Sequence, residues 1–129
     1  MEFKYDEVLD LWIAQTDFRG QAIKVRLYCR KDADFSDLAA MAISDVSSHW
    51  DLLKSAVISE LLSAYNEESS QELKPDEFFS YMVLKTIDFD ARDIMYTLFW
   101  SDSDRFGGHS IQVLWDPDEE FHADVSLVG

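Results

Sequence analysis

Apolar residues in this chain change their spacing twice, and these changes restrict the folds that it can adopt. They alternate with other residues over residues 8–30, recur at intervals of three and four over residues 35–66, and alternate again from residue 82 onward. A period of two is typical of a strand with one buried face, and a period near 3.6 is typical of an amphipathic helix. The sequence therefore predicts a single α+β domain over residues 1–129, with helices inserted between two groups of strands.

The first group of strands is predicted to be a β-hairpin formed by residues 8–14 and 21–30, with its turn at residues 16–20. Pairing of the two strands around this turn brings Asp10 near Arg26 on the outer face, where opposite charges stabilise a strand pair slightly. The inward face is expected to hold three apolar residues of each strand: Leu9, Leu11 and Ile13, and Ile23, Val25 and Leu27.

The middle and C-terminal segments complete the predicted fold. Residues 35–66 predict two consecutive helices, or one helix that is kinked near Ser47–Ser48. A polar loop follows, and Pro75 opens a short helix because proline suits the first helical turn. A four-stranded antiparallel meander is then predicted from the alternating residues 82–89, 93–100, 109–116 and 121–128.

Charge restricts the partners of this chain. It has 26 acidic and 11 basic residues, which give a formal net charge of −15 at pH 7. Residues 1–34 hold seven acids and six bases, whereas the later residues hold nineteen acids and five bases. A surface this acidic repels nucleic acid and anionic membranes and attracts cations or basic proteins. We therefore expect a basic protein as partner, with no direct nucleic-acid contact and no membrane contact.

Cysteine content and the N-terminal residues bear on the compartment. Cys29 is the only cysteine, so an internal disulfide cannot form. The N-terminus has no basic region followed by an apolar run, and no apolar stretch approaches the length of a membrane span. These features predict a cytoplasmic protein. Neither a zinc-ligand spacing nor the twelve-residue calcium pattern occurs, so we expect no metal and no cofactor.

The densest acidic stretch is a candidate docking surface for a basic partner. It is opposed only by Lys74 and comprises Glu67, Glu68, Glu72, Asp76 and Glu77. The loop before residue 109 adds Asp102 and Asp104. Aromatic side chains that could anchor a partner lie nearby or on the predicted outer face of the hairpin: Tyr65, Phe78, Phe79, Tyr81 and Trp12. An ordinary solvated surface is the alternative interpretation of the acidic stretch.

Residues 107–109 are the strongest candidate for a catalytic or ligand-binding segment. Gly107 and Gly108 precede a histidine that enters a predicted strand. A glycine backbone admits a ligand closely, and His109 could serve as acid, base or metal ligand. The alternative is a strand connection that needs positive φ, with His109 held by local hydrogen bonds. A small enzyme or ligand-binding domain centred on His109 and the Gly107–Gly108 turn is therefore one alternative function.

Several segments of the C-terminal half resemble one known family in their order and spacing. They are Ala64–Glu67, Pro75–Phe78, Leu84–Phe89, residues 102–104, residues 106–111 and Val125–Gly129. They resemble an uncharacterised family of small bacterial domains whose members end in a Gly-His-Ser-Ile strand and a final glycine. That family is similar in size and acidity to immunity proteins, which neutralise toxins in bacterial competition. The resemblance brings no catalytic residues with it.

Charge, acidic stretch and resemblance together favour a non-enzymatic binding protein. The expected function is that of a bacterial immunity protein that binds and blocks a basic toxin domain, such as a nuclease, through its acidic surface. Nuclease active sites are electropositive because they must approach phosphates, so an acidic surface complements them. A third possibility is a mimic of nucleic acid that occupies a DNA-binding protein by its charge.

Overall fold

The computed structural model describes residues 1–68, 72–103, 109–117 and 120–128. Its helices and strands, in chain order, are β1 (Glu2–Asp6), β2 (Leu11–Phe18), β3 (Gln21–Tyr28), α1 (Phe35–Ser48), α2 (Trp50–Glu68), α3 (Pro75–Ser80), β4 (Val83–Asp90), β5 (Met95–Ser101), β6 (Ser110–Trp115) and β7 (Ala123–Val128). The α+β class, the N-terminal hairpin, the two consecutive helices and the short helix agree with the sequence predictions.

The strands join one mixed sheet in the order β1-β2-β3-β4-β5-β6-β7. Neighbouring strands are antiparallel except β3 and β4, which are parallel. Parallel neighbours cannot be joined by a tight turn, because the chain must return to the starting end of the sheet. The three helices supply this crossover connection.

The predicted four-stranded antiparallel meander is wrong as a description of the sheet. β4 to β7 continue, through the parallel pairing, the sheet that β1 to β3 begin, so the sheet has seven strands and is mixed. Strand β1 was not predicted, because its five residues Glu2–Asp6 carry too short a pattern to identify a strand. The parallel pairing joins residues that are far apart in the chain, and no local pattern indicates it.

The turn of the N-terminal hairpin is shorter than predicted. β2 extends to Phe18, so only Arg19 and Gly20 connect it to β3. Both residues have positive φ, at 50° and 82°. A two-residue turn with this conformation matches the twist of antiparallel strands and favours glycine. The predicted five-residue turn at residues 16–20 is therefore wrong.

The short turn shifts the register of the hairpin and reverses the faces of β2. Trp12 pairs with Leu27, whereas Ile13 pairs with Arg26 on the other face. Trp12 thus faces inward, where its ring stacks on Phe35 of α1 with 3.8 Å between ring centroids. The prediction that Leu9, Leu11 and Ile13 form the inward face, with Trp12 outside, is wrong, although Leu11 is itself buried, apart from the core.

One face of the sheet packs against the helices and forms the core. Its sheet residues are Ala14, Phe18, Ile23, Val25, Leu27, Leu84, Ile87, Phe89, Tyr96, Leu98, Trp100, Ile111, Val113 and Trp115. Each long helix contributes one buried stripe at helical spacing: Ala39, Ala42 and Val46, and Leu53, Val57 and Leu61. A hydrogen bond crosses this interface, because the Tyr96 hydroxyl donates to Oδ2 of Asp45 in α1 at 2.6 Å.

The opposite face of the sheet carries the side chains that alternate with these core residues. We call it the open face, and its central residues are Ile13, Gln15, Lys24, Arg26, Tyr28, Thr86, Asp88, Thr97 and Phe99. Charged and polar groups predominate at its centre.

An ion pair on the open face joins β3 to β4. Arg26 and Asp88 are partners in the parallel ladder, and Nε and Nη2 of Arg26 donate to the two carboxylate oxygens at 2.6 Å each. Asp88 is only 8% exposed. Burial raises the pKa of Asp88, against the opposing effect of the Arg26 hydrogen bonds. The predicted proximity of Arg26 to Asp10 is wrong, since Asp10 lies between β1 and β2 and accepts a hydrogen bond from Tyr5.

Arg26→Ala should destabilise the protein most at neutral pH. It leaves Asp88 buried without its guanidinium partner, which costs roughly 2–3 kcal/mol, below the value for fully buried pairs because Arg26 is partly exposed. The pKa of Asp88 then rises further, so the folded state binds a proton before the unfolded state does. The loss of stability should therefore shrink as the pH falls below this raised pKa.

Urea denaturation of both proteins between about pH 8 and pH 4 measures this effect. In the double variant Arg26→Ala/Asp88→Asn the pH-dependent part of the loss should disappear. A loss in Arg26→Ala that stays constant with pH would contradict the assignment to Asp88.

Tyr96→Phe should lower the free energy of unfolding by about 1 kcal/mol, because it removes the hydrogen bond to Asp45 while that half-buried carboxylate can still bind water. A double-mutant cycle with Asp45→Ala, followed by chemical denaturation, isolates the coupling between the two side chains. A coupling energy of zero would show that this contact does not connect α1 to the sheet energetically.

Candidate docking surface

The predicted acidic stretch forms a corner where α2 ends and α3 begins. Asn66 closes it: its side-chain amide donates to the Leu73 carbonyl at 3.2 Å, and its Oδ1 accepts from the Leu73 N–H at 2.9 Å. The rings of Tyr65 and Phe78 pack below, with 5.7 Å between centroids. We call the exposed carboxylates here the acidic corner: Glu67, Glu68, Glu72, Asp76 and Glu77.

Two of these carboxylates stabilise the corner itself. Asp76 forms an ion pair with Lys54 of α2 at 3.0 Å, and Glu77 accepts a hydrogen bond from the backbone N–H of Lys74 at 3.4 Å. Both lie in the first turn of α3, where the helix dipole favours negative charge. Local structure therefore accounts for Asp76 and Glu77.

Glu67 and Glu68 have the opposite relation to their helix. They are the last two residues of α2, and its final turn contains no basic residue. The C-terminal end of a helix carries partial negative charge, so carboxylates are unfavourable there. No ion pair involves Glu67, Glu68 or Glu72 within the described ranges. No local contact therefore explains Glu67 and Glu68, and the helix dipole makes their negative charges unfavourable at this position.

The other predicted docking residues do not join the acidic corner at the described surface. Asp102 follows β5 directly and is 1% exposed, so a docking partner cannot reach its carboxylate without a local rearrangement. Asp104 lies outside the described residues, as do Gly107 and Gly108 of the predicted turn. His109 is half-buried and directly precedes β6. Its role as a site residue stays a prediction.

An aromatic cavity lies beside Asp76, at the side of the acidic corner that faces the N-terminal end of α2. It has a volume of about 330 Å³ and is lined in part by Phe18, Trp50, Lys54 and Phe79. Lys54 connects the two features, since its ammonium group binds Asp76 and also lies 5.5 Å from the centre of the Phe79 ring. Phe79, one of the aromatic residues predicted as anchors, is half-buried and lines this cavity beside Asp76.

Metal-ligating side chains do not cluster in the part of the chain that is described. No group of three or more His, Cys, Asp or Glu residues there could hold a metal ion. His49 lies with Nδ1 at 2.9 Å from the carbonyl of Asp45, and its ring packs on Trp115. His122 pairs with Asp124 at 3.1 Å. Local contacts thus engage both histidines.

No helix in the described ranges combines the length and the apolar character that crossing a bilayer requires.

Sequence reasoning missed Asp88 as the partner of Arg26. A signal was present, because Asp88 is a charged residue between two core residues, Ile87 and Phe89, and must therefore lie on the other face of its strand. Arg26 stands in the same relation to Val25 and Leu27. Only the parallel pairing of the two strands shows that these faces meet.

Comparison with known proteins adds the family of this chain. Neither a curated protein nor a solved structure matches it. One family model, described as an uncharacterised protein conserved in bacteria (DUF2262), matches residues 1–124. The match confirms the sequence-based expectation of a small bacterial domain of unknown function. The chain belongs to the DUF2262 family of uncharacterised bacterial proteins.

Proposed function

We propose that this protein is a non-enzymatic binding protein of the immunity type, which neutralises a basic toxin domain by docking through its acidic corner. The observation that carries the proposal is the position of Glu67 and Glu68 at the C-terminal end of α2, without a basic residue in the last turn. These carboxylates lower the stability of the free protein. A cationic partner would offset this repulsion on binding, so the two carboxylates that are unfavourable in the free protein would favour the complex.

Charge complementarity supports a toxin such as a nuclease as the partner. The active site of a nuclease is electropositive because it holds phosphates, and the net charge of −15 on this chain steers it toward such a surface. Complementary charges speed association and fix the orientation of two proteins.

The aromatic cavity beside Asp76 offers the partner an apolar contact in addition to the charged ones. Binding energy at protein interfaces is concentrated in a few apolar or aromatic contacts in desolvated pockets, surrounded by polar residues. An apolar side chain of the partner would enter the cavity next to Phe79 and Trp50, while its basic residues contact Glu67, Glu68 and Glu72 toward the other end of α2. Asp76 would hold Lys54 at the border between the two regions.

Glu67→Gln/Glu68→Gln should stabilise the free protein and weaken its binding to the partner. Removal of two charges from the C-terminal end of α2 relieves repulsion with the helix dipole, which should raise the melting temperature by roughly 2 °C. The matched control Asp76→Asn/Glu77→Gln removes the same charge but should lower the melting temperature, because it loses the contacts to Lys54 and Lys74. Thermal unfolding followed by circular dichroism measures both. A lower melting temperature for Glu67→Gln/Glu68→Gln would refute the argument.

Charge reversal at the corner should abolish protection against the toxin. The partner is captured from the source bacterium with the intact chain, and the captured protein is then expressed with each variant in a growth-rescue assay. Glu67→Lys/Glu68→Lys/Glu72→Lys should fail to restore growth. A control with the same net charge, Glu2→Lys/Asp93→Lys/Glu120→Lys, should restore it.

Two results would count against this function. Equal rescue by the two triple variants would show that the acidic corner is not the docking surface. Loss of rescue in His109→Ala, with the fold intact, would favour the alternative of a site centred on His109.

A further inference from the structure

We propose that the open face binds a small organic anion, whose phosphate or carboxylate group is held by Lys24 and Lys85. This site is independent of the proposed docking function, because it lies on the sheet face opposite the helices and has the opposite sign of charge.

Two adjoining cavities on the open face form the site. One has a volume of about 600 Å³ and the other about 480 Å³, and Lys24, Lys85 and Thr86 line both. They are therefore parts of one groove along β3 and β4. Volumes between about 300 and 1,000 Å³ are typical of sites for small ligands.

The two lysines that line both cavities are not neutralised by the protein. Lys24 and Lys85 are exposed, and neither forms an ion pair with any residue that the structure describes, although the chain has 26 acids. Arg26 also lines the groove, but Asp88 holds it. Asp17 lines the larger cavity without pairing with either lysine. These three cations against two carboxylates give the groove a positive charge within a strongly acidic chain.

A β-bulge directs Lys85 into the groove. The register between β4 and β5 shifts between Leu84 and Thr86, so Lys85 is the extra residue. In a regular strand Lys85 would point away from Thr86, toward the helices. Bulges redirect side chains in this way and are frequent next to functional sites. Here the bulge brings Lys85 beside Lys24, whose partner in the parallel ladder is Thr86.

Apolar side chains next to the lysines define the rest of the ligand. Ile13 and Phe99 are half-buried and line the smaller cavity together with Lys24 and Lys85. An inorganic ion would contact the ammonium groups alone. A small anion with an apolar or aromatic body would also cover Ile13 and Phe99, so phosphate monoesters and carboxylates of this kind are the ligand class that the groove fits.

Calorimetric titration of the full chain with phenyl phosphate tests the site, with inorganic phosphate and phenol as reference probes. Phenyl phosphate should bind saturably and more tightly than either reference. Lys24→Gln/Lys85→Gln should reduce its affinity about tenfold, because two charge-assisted contacts are lost. Arg30→Gln/Lys74→Gln removes the same charge from two exposed basic residues outside the groove and should leave the affinity unchanged.

Absence of saturable binding to the wild-type protein would overturn the proposal. So would an equal loss of affinity in the two double variants, because the titration would then report net charge and not the groove. Glu67→Gln/Glu68→Gln should bind phenyl phosphate as the wild type does, so failure of this site can be distinguished from failure of the docking function.

Discussion

The parallel pairing of β3 with β4 is the contact on which the rest of the structure depends. It joins a three-stranded and a four-stranded antiparallel segment into one sheet, and it places the Arg26–Asp88 ion pair at the junction. The residues that it brings together are 62 positions apart, so the contact costs the entropy of closing a long loop. The buried side chains Val25, Leu27 and Phe89 provide the apolar surface that offsets this loss of entropy.

The crossover also carries nearly half of the net negative charge of the chain. A connection between parallel neighbours passes over one face of the sheet, and here it spans residues 35–80, a segment with all three helices that holds nine acids and two bases. The acidic residues of the connection therefore collect on the helix side. The open face keeps Lys24, Arg26 and Lys85 near its centre, with Asp88 as the buried counter-charge. Two surfaces of opposite character thus follow from one topological feature.

Local patterns predicted the elements of this fold better than their pairing. The helices and the buried side of β3 follow from spacing alone, because Ile23, Val25 and Leu27 alternate with polar residues. In β2 the residues Leu11, Trp12 and Ile13 are all apolar, so alternation cannot tell which of them faces inward. The two-residue turn fixes which face of β2 is buried, and this turn depends on the positive φ of Arg19 and Gly20, which the pattern of apolar residues does not indicate. The β3–β4 pairing is non-local, and sequence periodicity carries no information about it.

The acidic corner was also only partly predictable. Its exposure follows from the sequence, but the different effects of its carboxylates on stability do not. A carboxylate at the start of a helix and one at the end have opposite effects on stability, although composition counts them alike. Asp76 and Glu77 lie at the favourable end of α3, whereas Glu67 and Glu68 lie at the unfavourable end of α2. Asp102, which the sequence also suggested, is buried. Helix polarity and burial, and not the number of acids, therefore separate residues that maintain the fold from residues that are available to a partner.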